Sequence, residues 1–247
     1  MFITSPLDAE RHGNAEHLHD VDRYRLVNAE LSDPLAGGVT LDIVRGPDPA
    51  LAAPMTFSAS VVLDGTLEKD GASLPRGSVL LGGQSGYTGR ESAKTTVLTV
   101  DSRPGALDPA APTCFDLNDI DDVAAHNPAL GFFDMKARML VDGPRYGARS
   151  FTLGLGTFAP GTGCHALHRH ANAAEFFYVW EGAGAHLTGD GASHPISAGD
   201  LVYVPPNEWH GFRNPGTVPA RAFFGYLGVD ARADAGYEVF RPCLLLE

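Results

Sequence analysis

The sequence has little of what marks secreted, membrane or disulfide-rich proteins. Its 247 residues include three cysteines, Cys114, Cys164 and Cys243, which are far apart and form no C-x-x-C pair. A disulfide framework is therefore not expected. The first residues lack the basic and long apolar regions of a signal peptide, and no apolar run approaches the ~20 residues of a membrane span. We expect a soluble, cytoplasmic protein.

Basic side chains are also scarce. Lysine and arginine number 18 against 30 acidic residues, which gives a formal net charge of -12. Nucleic acids and anionic membranes attract basic surfaces, so this balance argues against both as partners. The charge itself indicates only good solubility. A small molecule is the expected ligand.

Long patterns of helical period are scarce too, and strand patterns dominate. Short segments rich in Val, Thr, Phe and Tyr are bounded by Gly, Pro or Asp, which predicts an all-β sandwich or barrel. One short capped helix is predicted over 116–126, and residues 1–25 are expected to add an extra strand or a wrapping arm. The predicted strands are 39–44, 95–100, 150–158, 175–180, 200–205 and 221–227.

The chain contains an internal repeat. Residues 61–79 and 178–201 share the order of a strand, an acidic residue with Gly, a second strand, the tetrapeptide DGAS, a Pro, and a Gly that opens another strand. A repeat of this kind predicts a duplicated β-unit. We expect two domains, 1–105 and 106–247, with a Pro/Ala-rich linker over 102–113.

Four residues of the second half have the types and spacing of metal ligands. His168 and His170 point to the same side if they lie in a strand, and Glu175 and His210 follow in the sequence. Three imidazoles and one carboxylate suit Fe(II), Mn(II), Co(II), Ni(II), Cu(II) or Zn(II). In a six-coordinate ion this set leaves two positions for water, substrate or O2.

The first motif in this region resembles that of the cupin family, G(X)5HXH(X)3–4E(X)6G. His168, His170, Glu175 and Gly182 match it, and only the leading glycine is out of register. The resemblance implies that the three ligand-type residues of this motif bind metal.

The second cupin motif, G(X)5PXG(X)2H(X)3N, is matched by Gly199, Pro205, His210 and Asn214. Asn207 replaces its middle glycine, and asparagine tolerates the left-handed backbone of a turn. The resemblance implies that His210 is the fourth ligand.

The resemblance also implies the architecture. It predicts an all-β fold of two cupin barrels (double-stranded β-helices, or jelly rolls) in tandem. It also implies one divalent metal per chain, with Fe(II) as the expected ion and the others as alternatives. The first half has no histidine between His19 and His126, and Ser58 aligns with Glu175. We therefore expect a degenerate N-terminal barrel and an active C-terminal one. We also expect the protein to form a homodimer.

Strand parity suggests what surrounds the metal. Phe177 shares the face of Glu175, and Phe212 shares that of His210, so both are predicted to line a mostly apolar substrate pocket. A substrate carboxylate would need an arginine, with Arg138, Arg145 and Arg149 as upstream candidates. Two further histidines near the motifs, His165 and His186, are expected in exposed turns or strands, and His12, His17 and His19 in a loosely held arm.

The cupin ligand set serves several reactions, so three functions stay open. The first expectation is an Fe(II)-type dioxygenase in which Glu175, the only anionic ligand, is essential. The alternative is a non-redox isomerase, lyase or hydrolase. Bicupins similar to ureidoglycine aminohydrolase have this size, although their ligand pattern differs from His-x-His. The third is a non-catalytic cupin that binds a small molecule.

Overall fold

The computed structural model describes residues 1–18, 21–28, 39–46, 57–69, 71–82, 88–89, 95–102, 114–124 and 126–240. The predicted linker lies outside the described residues except for its first residue, and so do His19 and Cys243.

The first half is built around a seven-stranded antiparallel sheet of order β11-β8-β5-β10-β4-β3-β2. The alternation of branched apolar and small polar residues suits strands with two different faces. Its strands are β2 (Ala15–Leu18), β3 (Val21–Asn28), β4 (Thr40–Gly46), β5 (Phe57–Asp64), β8 (Ser78–Leu81), β10 (Thr95–Ser102) and β11 (Cys114–Asp116). A three-stranded sheet completes the described part of this half, with β6 (Thr66–Lys69), β7 (Ala72–Pro75) and β9 (Thr88–Gly89).

The second half repeats this plan with a seven-stranded sheet of order β1-β20-β17-β22-β15-β14-β12. Its strands are β1 (Phe2–Thr4), β12 (Val123–Ala124), β14 (Met135–Val141), β15 (Leu153–Phe158), β17 (Ala174–Glu181), β20 (Leu201–Val204) and β22 (Ala220–Leu227). A further six-stranded sheet closes the barrel, with β13 (Phe132–Phe133), β16 (Cys164–His170), β18 (Ala183–Thr188), β19 (Ser193–Ser197), β21 (His210–Arg213) and β23 (Tyr237–Val239).

The internal repeat is visible in this topology. The β6–β7 and β18–β19 hairpins occupy corresponding places, and the glycines of the DGAS tetrapeptides, Gly71 and Gly191, fall at their turns. Gly71 and Gly191 have φ of 80° and 84°, a left-handed conformation that glycine adopts without strain. The prediction of two tandem β-barrels is confirmed, as are all six predicted strands.

The two halves exchange one edge strand each. β1, from the start of the chain, pairs with β20 of the second half, while β11 pairs with β8 of the first half. Residues 1–25 therefore do supply an extra strand. The domain boundary at 105/106 stays a prediction, and hydrogen-bonded strands cross it in both directions.

Helices are few and short. Helix α1 (Pro6–Arg11) begins after Ser5, whose hydroxyl accepts a hydrogen bond from the Asp8 amide, and helix α2 is Gly143–Tyr146. Single 3-10 turns cover Leu117–Asp119, Pro128–Leu130 and Arg232–Ala235.

The helix predicted over 116–126 is wrong beyond its first turn. Asp116 caps that turn as expected, but Ile120 adopts an extended backbone. Val123 and Ala124 then pair with β14. Pairing with a sheet edge outweighs the weak helical preference of this Asp-rich segment.

Alternation along the strands divides the apolar core into layers. Phe176 and Tyr178 point away from the second barrel and pack in a large cluster that also contains Leu41 and Leu98 of the first half. This cluster joins the two seven-stranded sheets face to face. Phe177, on the opposite parity, belongs to a separate cluster inside the second barrel.

In the described part of the chain, no helix has the length and apolar character that crossing a membrane requires.

Candidate metal centre

Strand β16 carries the first two predicted ligands. His168 and His170 are 1% and 2% exposed and project into the second barrel. Arg169 between them faces the opposite way, where its guanidinium pairs with Glu238 at 2.7 Å. The alternation expected of a strand is therefore confirmed, and it places two imidazoles on one side of the wall.

The other two predicted ligands come from neighbouring strands. Glu175 lies near the start of β17, and His210 opens β21 with its Cα directly across from that of His168. The turn before β21 contains Asn207, which has the left-handed φ of 65° expected at this motif position. The backbone N–H of Asn207 donates a hydrogen bond to the His170 carbonyl at 2.8 Å, and this bond fixes the turn against β16.

The four side chains converge on one point. One ligand atom from each lies within 4.8 Å of those of the others. Nε2 of His210, His170 and His168 lies 2.9, 3.0 and 3.5 Å from the same Glu175 oxygen, Oε2. Three nitrogens and one carboxylate oxygen at this spacing match the N3O donor set of a single transition-metal ion.

Hydrogen bonds to the Nδ1 atoms of two of these histidines also favour metal binding. Nδ1 of His168 faces the Ala166 carbonyl at 2.9 Å, and Nδ1 of His210 faces the Glu208 carbonyl at 2.9 Å. A proton on Nδ1 leaves the Nε2 lone pair directed at the centre, as in most histidine metal sites. Nε2 of His168 and of His170 is buried and faces Glu175 Oε2, but makes no hydrogen bond of regular geometry among the described residues, so the residues present fit a bound divalent cation.

Electrostatics keep the carboxylate ionised. Burial alone raises the pKa of Glu175, but the surrounding imidazoles of His210, His168 and His170 outweigh it and hold that pKa well below the usual 4.5. Burial also lowers the pKa of His168 to about 4. An ionised carboxylate beside a neutral imidazole at neutral pH is the protonation state that metal binding requires.

The centre opens into a cavity of about 180 Å³ on the Glu175 side. Its wall is mostly apolar, and its polar groups are few, as in most small-molecule sites. The lining residues are Asn127, Leu130, Phe132, Met135, Ala137, Gly156, Phe158, His165, Glu175, Phe177, Phe224, Tyr226 and Arg232.

The two predicted pocket residues differ in position. Phe177 lines this cavity, whereas Phe212 does not. The Phe212 ring is 2% exposed and packs 4.6 Å from the ring of Phe158 and 4.9 Å from that of Phe177. Strand parity identified the right face, but Phe212 lies one layer behind the cavity wall.

None of the three candidate arginines lines the cavity. Arg138 binds Asp122, Arg149 binds Asp230 at 2.8 Å, and Arg145 lies over the Tyr146 ring. Arg232 is the arginine that the structure places in the wall. Sequence patterns had no means of finding it, because it lies in a 3-10 turn beyond the last strand of the repeat.

The expectation of exposed histidines near the motifs is wrong. His186 is 2% exposed, and both its ring nitrogens are without a hydrogen-bond partner in the described structure. The ring of His165 stacks on that of His168 at 3.7 Å and lines the cavity. His186 points inward because β18 is a wall strand of the barrel, whereas His165 faces the cavity beside His168 because the register of β16 shifts between these two residues.

The histidines of the arm do not assemble a second site within the described residues. His17 pairs with Asp22 at 2.8 Å, and Nδ1 of His12 lies 2.8 Å from the Asp8 carbonyl. In the first barrel, Ser58 lies seven residues before Gly65, as Glu175 lies before Gly182, and its hydroxyl donates to the Gly82 carbonyl. Among the described residues, the four-residue cluster above is the only group suited to a metal.

Comparison with known proteins agrees with the motifs. The family model for the cupin domain matches residues 154–226. The dimethylsulfoniopropionate lyase DddW of Ruegeria pomeroyi is 34% identical over 118 residues, which are 47% of this chain and 72% of that protein. The chain belongs to the cupin superfamily.

Solved structures share the whole cupin architecture. The oxalate decarboxylase of Lactobacillus farciminis, solved with formate, has a TM-score of 0.69 and covers 97% of this chain and 88% of its own, at 14% identity. Oxalate decarboxylase of Bacillus subtilis, which contains Mn(II) centres, has the same TM-score and covers 97% and 79% at 14% identity. At this identity the likeness concerns the two-barrel fold of the cupin.

Proposed function

We propose that this cupin is a metal-dependent lyase that breaks a C–C or C–heteroatom bond of a small carboxylate, without net oxidation. One observation carries the proposal. The buried cluster of three histidines and one glutamate, His168, His170, Glu175 and His210, opens onto a small, largely apolar cavity through Glu175. The relationship to DddW, a lyase by name, supports this reaction class more than the dioxygenase class.

Different residues of the site have different roles in the proposed reaction. The four ligands would hold one divalent cation, which acts as a Lewis acid and stabilises negative charge on a substrate oxygen. Phe158 and Phe224 exclude water from the cavity and position the carbon skeleton. From β22, Tyr226 lines the cavity beside its cross-strand neighbour Glu175. Burial raises the pKa of the Tyr226 hydroxyl well above the usual 10. This hydroxyl therefore stays protonated at neutral pH and can donate a hydrogen bond to a substrate oxygen that gains negative charge.

A dioxygenase is the second candidate. The aromatic lining, including Phe132 and Phe177, suits a planar substrate, and the N3O donor set also suits Fe(II). The identity of the metal, the homodimer and this reaction class stay predictions.

The test is a product assay beside an oxygen electrode. The protein is loaded in turn with Mn(II), Fe(II) and Zn(II) and supplied with dimethylsulfoniopropionate, oxalate and other short carboxylates. We expect one carboxylate to give a cleavage product, such as acrylate or CO2, without net O2 consumption, and Glu175→Gln to abolish this turnover. Stoichiometric O2 uptake would instead identify the dioxygenase.

A further inference from the structure

The cavity wall contains one permanent cation. Among the described residues that line it, Arg232 is the only arginine or lysine. Arg232 is itself exposed, so it lies where the cavity meets solvent.

Among the described residues, no acidic side chain pairs with Arg232. No carboxylate lies within 4.0 Å of its guanidinium in the described part of the chain. Most other arginines whose contacts are described do have such a partner, namely Arg11, Arg25, Arg76, Arg138, Arg149, Arg169 and Arg221. A guanidinium beside an apolar cavity without a protein carboxylate is available to a ligand anion.

The backbone that carries Arg232 is held in place from both sides. The Asp230 carbonyl accepts from the Gly143 amide at 2.7 Å, and the Asp234 carbonyl accepts from the Asn172 side chain at 3.0 Å. Ala235, in the same 3-10 turn, is fully buried. The guanidinium therefore extends from a fixed base, which reduces the entropy lost when it binds an anion.

We infer that Arg232 binds a carboxylate of the substrate at the solvent end of the cavity and so selects small organic anions. This inference rests on the proposed function and deepens it. Guanidinium and carboxylate match in planar, two-pronged geometry, so Arg232 distinguishes a carboxylate from a neutral isostere. The substrate then spans the cavity, with its anion at Arg232 and its reacting end near Glu175.

The test measures binding rather than turnover. Calorimetric titration with propionate and with the neutral propionamide is performed on metal-free and on Mn(II)-loaded protein. We expect Arg232→Gln to weaken propionate binding 10- to 100-fold, as for loss of a hydrogen bond between charged groups, and Arg232→Lys to recover part of it. Propionamide binding should not change. Arg145→Gln removes the same charge at an exposed position outside the cavity lining and should have no effect.

Three results would overturn the inference: unchanged propionate binding in Arg232→Gln, an equal loss in Arg145→Gln, or an equal loss of propionamide binding. The metal-free arm separates this inference from the proposed function. If the protein binds no metal or shows no lyase turnover, but propionate binding still depends on Arg232, only the proposed function has failed. If turnover on carboxylates is found and is indifferent to Arg232, only the inference has failed.

Discussion

Glu175 and Tyr226 lie directly opposite one another on the paired strands β17 and β22, and both line the same cavity. The cupin barrel thus sets the carboxylate of the candidate metal centre beside a neutral hydroxyl that can donate a hydrogen bond. The ring of Tyr226 also lies 4.5 Å from that of His170, which fixes its orientation. In the proposed lyase, this pairing supplies a hydrogen-bond donor next to the metal ligands.

Replacing Tyr226 by Phe removes the donor and little else. We expect kcat on the lyase substrate to fall about 100-fold, which is typical for loss of a hydrogen-bond donor to developing negative charge, with metal content unchanged. The matched control is Tyr178→Phe, because Tyr178 is also buried, with a pKa raised to about 12, but packs between the barrels. Equal kcat losses in the two variants would contradict a catalytic role for Tyr226.

The metal should be held in the second barrel only, at about one equivalent per chain. The first half has no histidine between His19 and His126, whereas removing His168 and His170 together eliminates two of four donors. Elemental analysis of His168→Ala/His170→Ala should therefore find almost no metal, and the exposed pair His12→Ala/His17→Ala should retain all of it. Two metals per wild-type chain would refute this assignment.

The ligand set could be predicted from the sequence because it depends on local spacing. A strand alternates, so His168 and His170 had to share a face, and the motif register added Glu175 and His210. Parity on β22 could also have revealed Tyr226, two residues beyond Phe224. Arg232 and the depth of Phe212 could not be predicted, because they depend on how distant segments pack in three dimensions. His186 was misjudged because a wall strand of a closed barrel buries one of its faces.

Stability of the metal-free protein should depend on pH through His186. Burial, followed by the charge of His210, lowers the pKa of His186 from 6.5 to about 3. Between these pH values the unfolded chain binds a proton at His186 that the folded protein does not. The free energy of unfolding is therefore not reduced by His186 above pH 6.5, and it decreases as the pH falls toward 3. His186→Leu should reduce the slope of unfolding free energy between pH 5.5 and 4 by about 1.4 kcal/mol per pH unit.

Urea denaturation of EDTA-treated protein at several pH values measures that slope. His12→Leu, at an exposed position, removes one histidine as well and should keep the wild-type slope. If His186→Leu and the wild type have parallel curves, His186 is protonated equally in both states, and its burial has no effect on proton binding.

The two phenylalanines of the pocket hypothesis should respond in opposite ways. Phe177 lines the cavity, so Phe177→Ala enlarges it and should shift the ratio of kcat/KM values toward bulkier carboxylates, because that ratio measures differential binding of transition states. Phe212 lies behind the wall, against Phe158. Phe212→Ala should therefore cost the 3–5 kcal/mol typical of a buried Phe and leave the ratio unchanged.

Denaturant unfolding and a panel of substrates of increasing size measure both effects. Because the Phe177 and Phe212 rings touch, the cavity left by Phe212→Ala can relax toward the substrate only if Phe177 moves. The double variant tests this: once Phe177 is also removed the two spaces join, so loss of a packing-only Phe212 should change selectivity in the double variant but not alone. A selectivity change in Phe212→Ala alone, at wild-type stability, would restore Phe212 to the substrate pocket and show that the cavity extends one layer deeper than its present wall.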